Sequence, residues 1–585
     1  MLKLIKYLKH CKRYAVTAML LVCLQNLITL ALPTVVSDIL DKGVDKGDAA
    51  YVTWMGIVMC IVAGVGCVVG ILGNYFSAKT SANFAASLRK SLFVKITALS
   101  AKEHEQFSTA SLITRTTNDI QHLQELVLGV IKLLIPAPVL FIGGAILSFI
   151  YNPKIAGVVL LIVPVIGVAV YFIFKVTKKL FDRQQQKVDV INRIVREKLT
   201  GIRVIRAFNR EASEDEKFND SNLELTKISL KINRIFAVII PVAYLMLYTV
   251  LALIMIFGAK DIDKLTDPAQ LSTSVYDLQM FMIFILLMIS GIGMASAIFV
   301  MIPAGEVAAK RINAVLECDI SVTESEEPVH FAAGGNAHLE FKDVKFCYPD
   351  AEEPVLQKIN FECKAGEITA IIGSTGAGKS TLVNLIPRFF DVNSGEVLLN
   401  GVNIKDVPLA ELREKIGLIP QKTFLFSGTI ADNLRYGNAS AQEEDMWEAL
   451  RVAQAEEFVR VKPEQLESFV SQGGKNFSGG QKQRLSIARA LMKKAEIYIF
   501  DDSFSALDFK TDAALRAELR KHFKDANILI VAQRINTVMD ADRIIVLDEG
   551  QIAGIGTHEQ LMRECEAYKE IALSQISSEE VSRLG

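Results

Sequence analysis

Ile371-Ile372-Gly373-Ser374-Thr375-Gly376-Ala377-Gly378-Lys379-Ser380-Thr381 runs from an apolar strand through a glycine-rich turn into the start of an apolar helix. The run matches GxxxxGK[ST], and the strand before and helix after give the match its weight. Glycines let successive backbone N–H groups close around phosphate oxygens, and the helix N-terminus adds a favourable dipole. In that geometry the segment Gly373–Thr381 wraps nucleotide phosphates, Lys379 reaches the β and γ phosphates, and Ser380 serves as a ligand for Mg2+. The expected ligands are therefore ATP and Mg2+. Around this run, from about 338 to 575, short apolar strands alternate with helical stretches, the pattern of an α/β nucleotide-binding domain. One of those strands, Ile497-Tyr498-Ile499-Phe500, ends in Asp501-Asp502 about 120 residues after the glycine-rich turn. Asp501 is placed to hold the metal.

Upstream the composition is different. The chain has 585 residues, of which 51% are hydrophobic, and its mean hydropathy is positive, which a wholly soluble chain seldom shows. With 64 Lys and Arg against 65 Asp and Glu, nothing points to nucleic acid as a partner. The eight cysteines form no CxxC pair and no cluster with metal spacing, so a reducing cytoplasm without a disulfide framework is expected.

A membrane-crossing helix needs about 20 apolar residues. Six such stretches precede the middle of the chain: about 15–39, 52–77, 126–150, 155–175, 235–259 and 276–302. A basic amphipathic start (Lys3, Lys6, Lys9, Lys12, Arg13) reads as an interfacial helix leading into the first. The short loops 40–51 and 260–275 carry Asp and few Lys, whereas the long segments 78–125 and 176–234 are rich in Lys and Arg. By the positive-inside rule the long segments and both termini are cytoplasmic. With almost no Gly or Pro, the long segments should continue as helices and fold back near 106–114 and 207–215, as levers that a cytoplasmic engine can push. Lys132 is the main charge within a span, with a functional role or simple snorkelling both open. Met280, Met282, Met288, Met294, Met301, Phe281, Phe284 and Phe299 on the last span suit either an adaptable apolar pocket or ordinary helix packing. The expected organisation is an all-α six-helix transmembrane domain over 1–310, an acidic, small-residue linker over 311–337, the nucleotide-binding domain over 338–575, and a tail over 576–585.

Between the glycine-rich loop and Asp501 lies Asn476-Phe477-Ser478-Gly479-Gly480-Gln481-Lys482-Gln483-Arg484, opening a helix. This run resembles the LSGGQ signature of ABC transporters, with Phe in place of Leu. The family's other motifs follow in order. Tyr348 resembles the aromatic that stacks on adenine. Gln421 in Ile419-Pro420-Gln421 resembles the residue linking Mg2+ to the membrane levers. Ser505-Ala506-Leu507-Asp508 resembles the D-loop. The resemblance covers essentially the whole chain, as in exporter half-transporters of the multidrug type. It implies a dimer in which Ser478, Gly479, Gly480 and Gln481 of one chain close the ATP site of the other.

Two positions depart from the family pattern. Asp502 stands where a Glu usually polarises the attacking water, and Gln533, in Val531-Ala532-Gln533-Arg534, stands where a switch histidine is usual. An Asp carboxylate stops one methylene short, and Gln cannot carry a proton. The pairing resembles the degenerate-site member of bacterial heterodimeric ABC exporters. The expected function is ATP-driven export of an apolar or amphipathic substrate, a small molecule or peptide, across a bacterial cytoplasmic membrane, with a second, different half-transporter and membrane lipid as partners. A homodimeric peptide or lipid exporter and an ATP-gated, channel-like protein are the alternatives.

Overall fold

The structure, a computed structural model, describes residues 2–575 apart from 152, 154, 155, 158–179, 182, 263–267, 333, 335, 336, 349 and 350. The chain divides into two compact units, Met1–Lys95 with Ala110–Glu317, and Ile96–Thr109 with Cys318–Gly585.

The first unit is helical. Four stretches are long and apolar enough to cross a membrane: Lys12–Val44, Ala49–Ala98, Thr109–Tyr151 and Ser274–Leu316. They carry the expected spans 15–39, 52–77, 126–150 and 276–302. The expected span 235–259 lies within helix Glu211–Ile262, and 155–175 lies, apart from 156 and 157, outside the described residues. Helix Ala49–Ala98 has 50 residues, about 75 Å at 1.5 Å per residue, more than twice the roughly 30 Å of a bilayer's hydrocarbon. It has to project well beyond the membrane, as the absence of helix breakers over 78–98 foretold.

Breaks fall within both expected turn regions, at Ser108 and over 208–210, and each is preceded by a second break that sets off a short helix. The earlier break of the first pair falls at Leu99-Ser100, ahead of a short helix Ala101–Phe107; that of the second falls at Gly201. At the first, Ser100 caps the short helix and Glu103 reaches back to the Ser100 N–H at 2.9 Å, a capping box. On the last span, Met280, Phe281, Phe284 and Met288 are all at most 2% exposed, packed with Leu30, Leu140 and Ile254, while Phe299 faces outward. For those four residues packing, rather than a pocket, is what the described chain shows. The packing is close: a Cβ on Gly291 would stand 2.9 Å from the Ala137 carbonyl oxygen.

The second unit holds the strands. A four-stranded antiparallel sheet has the order β2-β1-β4-β5, formed by β1 (Leu339–Phe346), β2 (Leu356–Cys363), β4 (Ser394–Leu399) and β5 (Val402–Asn403). A six-stranded sheet has the order β12-β11-β3-β10-β9-β6, formed by β3 (Ile368–Gly373), β6 (Ile416–Ile419), β9 (Ile497–Asp501), β10 (Asn527–Val531), β11 (Arg543–Asp548) and β12 (Gln551–Gly556). Gly428–Thr429 (β7) and Phe469–Val470 (β8) form a small separate pair. Within the large sheet every pairing is parallel except that of β11 with the edge strand β12. Strands β3, β9 and β10 are buried along their whole length, which is why they read as unbroken apolar runs rather than as alternating ones. Their two faces feed two separate hydrophobic cores.

Candidate nucleotide site

Parallel pairing aligns the carboxyl ends of β6, β9, β10 and β3, through Ile419 beside Phe500, Asp501 beside Val531, and Val531 beside Ile371. Residues just past those ends therefore meet along one edge of the sheet, where α/β folds of this kind bind ligands. The edge receives Gln421 from β6, Asp501 and Asp502 from β9, Gln533 from β10, and the glycine-rich loop from β3. Four elements separated in sequence thus converge because of strand order alone.

The loop has the predicted form. Gly376 and Gly378 have φ of 91° and 93°, a region that penalises any Cβ, and Gly373 is so close to the Leu547 carbonyl that an added Cβ would lie 2.2 Å from its oxygen. Helix Lys379–Leu385 follows directly. Lys379 is buried and donates to the carbonyl oxygens of Gly373 at 2.8 Å and Ser374 at 2.7 Å. Burial pulls its pKa down, against the pull of Asp502 and Asp501. Thr375, Ala377 and Thr381 complete the loop, and Thr381 pairs with the Tyr348 hydroxyl at 3.1 Å. Tyr348 is half-buried and packs edge-on against Phe346 and Phe390, which anchors it beside the start of the loop's helix.

Two carboxylates face the loop in different settings. Asp501 is buried and accepts from Ser380 Oγ at 2.9 Å; burial raises its pKa, the Ser380 bond opposes this, and repulsion from Asp502 adds to it. A buried carboxylate beside a hydroxyl, with the Gln421 side chain bonded to the neighbouring Asp502, offers oxygen donors of the kind Mg2+ takes. Asp502 accepts from both Gln421 Nε2 and Gln533 Nε2 on the same oxygen, Oδ2, each at 3.2 Å. Its φ of 49° lies in the left-handed region, which Asp tolerates better than most residues. These bonds form two groups, Ser380 with Asp501, and Gln421 and Gln533 with Asp502, brought side by side because Asp501 and Asp502 are neighbours in the chain.

Ser478 caps helix Gly479–Leu491 through a reciprocal box, accepting from the Gln481 N–H at 3.3 Å while Gln481 Oε1 accepts from the Ser478 N–H at 3.0 Å. Gly480 approaches the Ala506 carbonyl so closely that a Cβ would sit 3.2 Å from it. Asp508 caps helix Phe509–His522, accepting from the Thr511 N–H and hydroxyl, which hold its carboxyl below the usual range. Among the described residues, no hydrogen bond joins Ser478–Gln481 to the glycine-rich loop.

One contributor has no sequence signal. Gln575, at the end of helix Glu566–Gln575, donates from Nε2 to the Gln533 carbonyl at 2.8 Å and accepts the Ile535 N–H on Oε1 at 2.9 Å. It brackets the turn that presents Gln533. Arg534 in the same turn donates to the Ser505 carbonyl at 3.1 Å, and Ser505 Oγ donates to the Asp502 carbonyl at 2.8 Å.

Comparison with known proteins agrees with this arrangement. Residues 16–292 match the ABC transporter transmembrane region family, and residues 356–505 match the ABC transporter family. An uncharacterized ABC transporter ATP-binding protein of Mycobacterium tuberculosis is 39% identical over 583 residues, 99% of both chains. The chain belongs to the ABC transporters. It is an ATP-hydrolysing, membrane-spanning exporter of that family, with a helical transmembrane domain and an α/β ATP-binding domain. An ATP-dependent lipid A-core flippase of Syntrophus aciditrophicus is 30% identical over 570 residues, covering 96% of this transporter and 92% of the flippase. In fold the transporter resembles a bacterial Atm1-family ABC exporter solved with ATP bound, at a TM-score of 0.77, 22% identity, and coverage of 97% and 99% of the two chains.

Proposed function

We propose that this chain is one half of a two-chain exporter, and that its own nucleotide site binds ATP but hydrolyses it slowly. The observation that carries the reading is the Asp502 carboxylate held by two neutral amides, Gln421 and Gln533. Attack of water on the γ-phosphorus needs a group to take the water's proton and a partner to steady the charge growing on phosphate oxygens. Asp502 is a methylene shorter than Glu, a displacement of about 1 Å, which can cost on the order of a hundredfold in rate. Gln533 can donate a hydrogen bond to a phosphate oxygen but carries no charge. Lys379 and the loop amides hold the phosphates regardless, so binding survives while hydrolysis lags.

On this reading Ser380, Asp501 and Gln421 would hold Mg2+, which would supply positive charge to offset that of the phosphates. Ser478–Gln481, with its helix N-terminus, completes the faster site of a different partner chain. Tyr348 stacks on adenine, and Asp508 belongs to the segment that crosses between the two sites. The transmembrane domain occupies 1–310 and the ATP-binding domain 338–575, joined by 311–337, with both termini on the cytoplasmic side of a bacterial inner membrane. The flippase names among the relatives favour an amphipathic, lipid-like substrate over a peptide.

The test is to tag the chain, purify it gently from its host membrane, and identify what accompanies it in equal amount. A second half-transporter carrying Glu and His at the positions matching Asp502 and Gln533 supports the reading. Recovery of this chain alone as a dimer overturns it in favour of a homodimer that is slow at both sites.

A further inference from the structure

Apart from Lys3, the basic start of the chain is not neutralised by its surroundings. Residues 1–37 contain Lys3, Lys6, Lys9, Lys12 and Arg13 and no Asp or Glu, and residues 49–102 contain Lys79, Arg89, Lys90, Lys95 and Lys102 and again no Asp or Glu. Helix Leu2–Cys11 tucks Leu4 and Cys11 inward and leads into helix Lys12–Ile39, whose first turn is cationic. Tyr14 stacks with Phe76 at 6.1 Å, and Lys79 Nζ lies 4.6 Å from the Tyr14 ring and 5.5 Å from that of Tyr75. The first turn of helix Lys12–Ile39 thus stands level with the point where helix Ala49–Ala98 leaves its apolar stretch. The carboxylates of the adjoining helix end are taken: Glu317 pairs with Lys3 and Glu306 with Lys310. Among the described residues Lys6, Lys9, Lys12, Arg13 and Lys79 have no carboxylate within ion-pair distance.

We propose that Lys12, Arg13 and Lys79, framed by Tyr14 and Tyr75, form a binding site for the headgroup of an anionic phospholipid. Three features select a lipid. The cations sit at the ends of apolar stretches, at the depth where a headgroup lies. Exposed tyrosines beside them have the amphipathic character of residues at a membrane–water boundary. Basic clusters directly flanking a span, on the side facing the cell interior, attract anionic lipid. The Lys3–Glu317 pair puts this cluster at the end of helix Pro268–Leu316 that leads to the ATP-binding domain, hence in the leaflet facing the ATP pool. Phosphatidylcholine, with no net charge, gains little from such a site.

The experiment uses the purified full transporter in nanodiscs, with native mass spectrometry counting retained lipid when phosphatidylglycerol and phosphatidylcholine of equal chain length compete. Phosphatidylglycerol is expected to be retained in preference, the preference shrinking as salt rises. Each of Lys12→Gln, Arg13→Gln and Lys79→Gln should weaken retention about fivefold, the scale of one cation near a charged surface. Lys79→Arg should keep it, and ATP binding should be unchanged in all of them, which separates lost binding from lost folding. Equal retention of the two lipids by the wild-type protein overturns the proposal. So does a triple Gln variant that keeps its preference, or displacement of phosphatidylglycerol by millimolar inorganic phosphate, which would make the site one for soluble anions.

Discussion

Asp502 and Gln533 carry the functional argument, and their chemistry is open to direct repair. Asp502→Glu moves the carboxylate one methylene toward the attacking water, and Gln533→His supplies a side chain able to carry charge at the γ-phosphate. Together they should raise phosphate release from this chain's site, by up to about a hundredfold, in a transporter whose partner site has been disabled. No increase would mean that positions 502 and 533 do not limit the rate. These residues were legible in the sequence because each sits at a fixed offset from a strand end, inside a motif. The joint hold of Gln421 and Gln533 on one oxygen of Asp502 was not legible, since it arises from the order of strands β6, β9 and β10, which no local pattern records. A second residue tests the core beside the site. Cys363 ends β2 fully buried, and burial pushes its thiol up to about 12. A maleimide at pH 8 should leave it unmodified in the native protein and modify it once denatured. Labelling of Cys363 in the native protein would mean that β2 opens readily.

Among elements, helices and strands differed in how far they could be read. The long helices were legible as continuing past their apolar stretches because 78–98 and 211–234 contain no Gly or Pro, and the buried strands because they are unbroken apolar runs. The turn regions at Ser108 and 208–210 were legible, but a second, earlier break beside each, at Leu99-Ser100 and Gly201, was not. At the first, the signal was the capping box formed by Ser100 and Glu103, which starts a new helix earlier than loop composition indicated. The link made by helix Glu566–Gln575 had no signal at all, because a single amide at a helix end is indistinguishable from a solvated one until the fold brings the turn at Gln533 beside it. That turn is held at two backbone points by one side chain. Freeing it should blur the contact that distinguishes ATP from ADP. Gln575→Ala is therefore expected to lower the ATP-over-ADP preference of this chain's site several-fold, read by competition against a fluorescent nucleotide, with ADP affinity itself unchanged. Gln575→Glu keeps the acceptor for the Ile535 N–H but faces the Gln533 carbonyl with a second oxygen, so it should behave like Ala. Equal loss of both affinities would reduce Gln575 to a structural prop for the helix.

For the whole molecule the proposed function has a definite consequence: on that reading the two halves of a complete ATP site have different quality in one chain. The glycine-rich loop is formed, with Lys379 buried against it, while on the proposed reading the residues that would activate water, Asp502 and Gln533, are weakened. The segment Ser478–Gln481 is formed as well, with its Ser478 cap and Gly480 approach, and on the same reading it serves the partner chain that faces it. Mutations in these two segments should then have separable effects on one assembled transporter. Lys379→Ala removes the charge that holds the β and γ phosphates at this chain's own site, so photo-labelling of this chain by an azido-ATP should fall at least tenfold while most turnover persists. Ser478→Ala removes the cap of the signature helix, a loss worth about 1 kcal/mol to that helix's first turn, and should cut total ATP hydrolysis while labelling of this chain continues. In a homodimer both sites contain both segments, and each substitution would depress labelling and turnover together. The contrast between the two variants, rather than the size of either effect, therefore discriminates between a transporter built from unlike halves and one built from two copies of this chain.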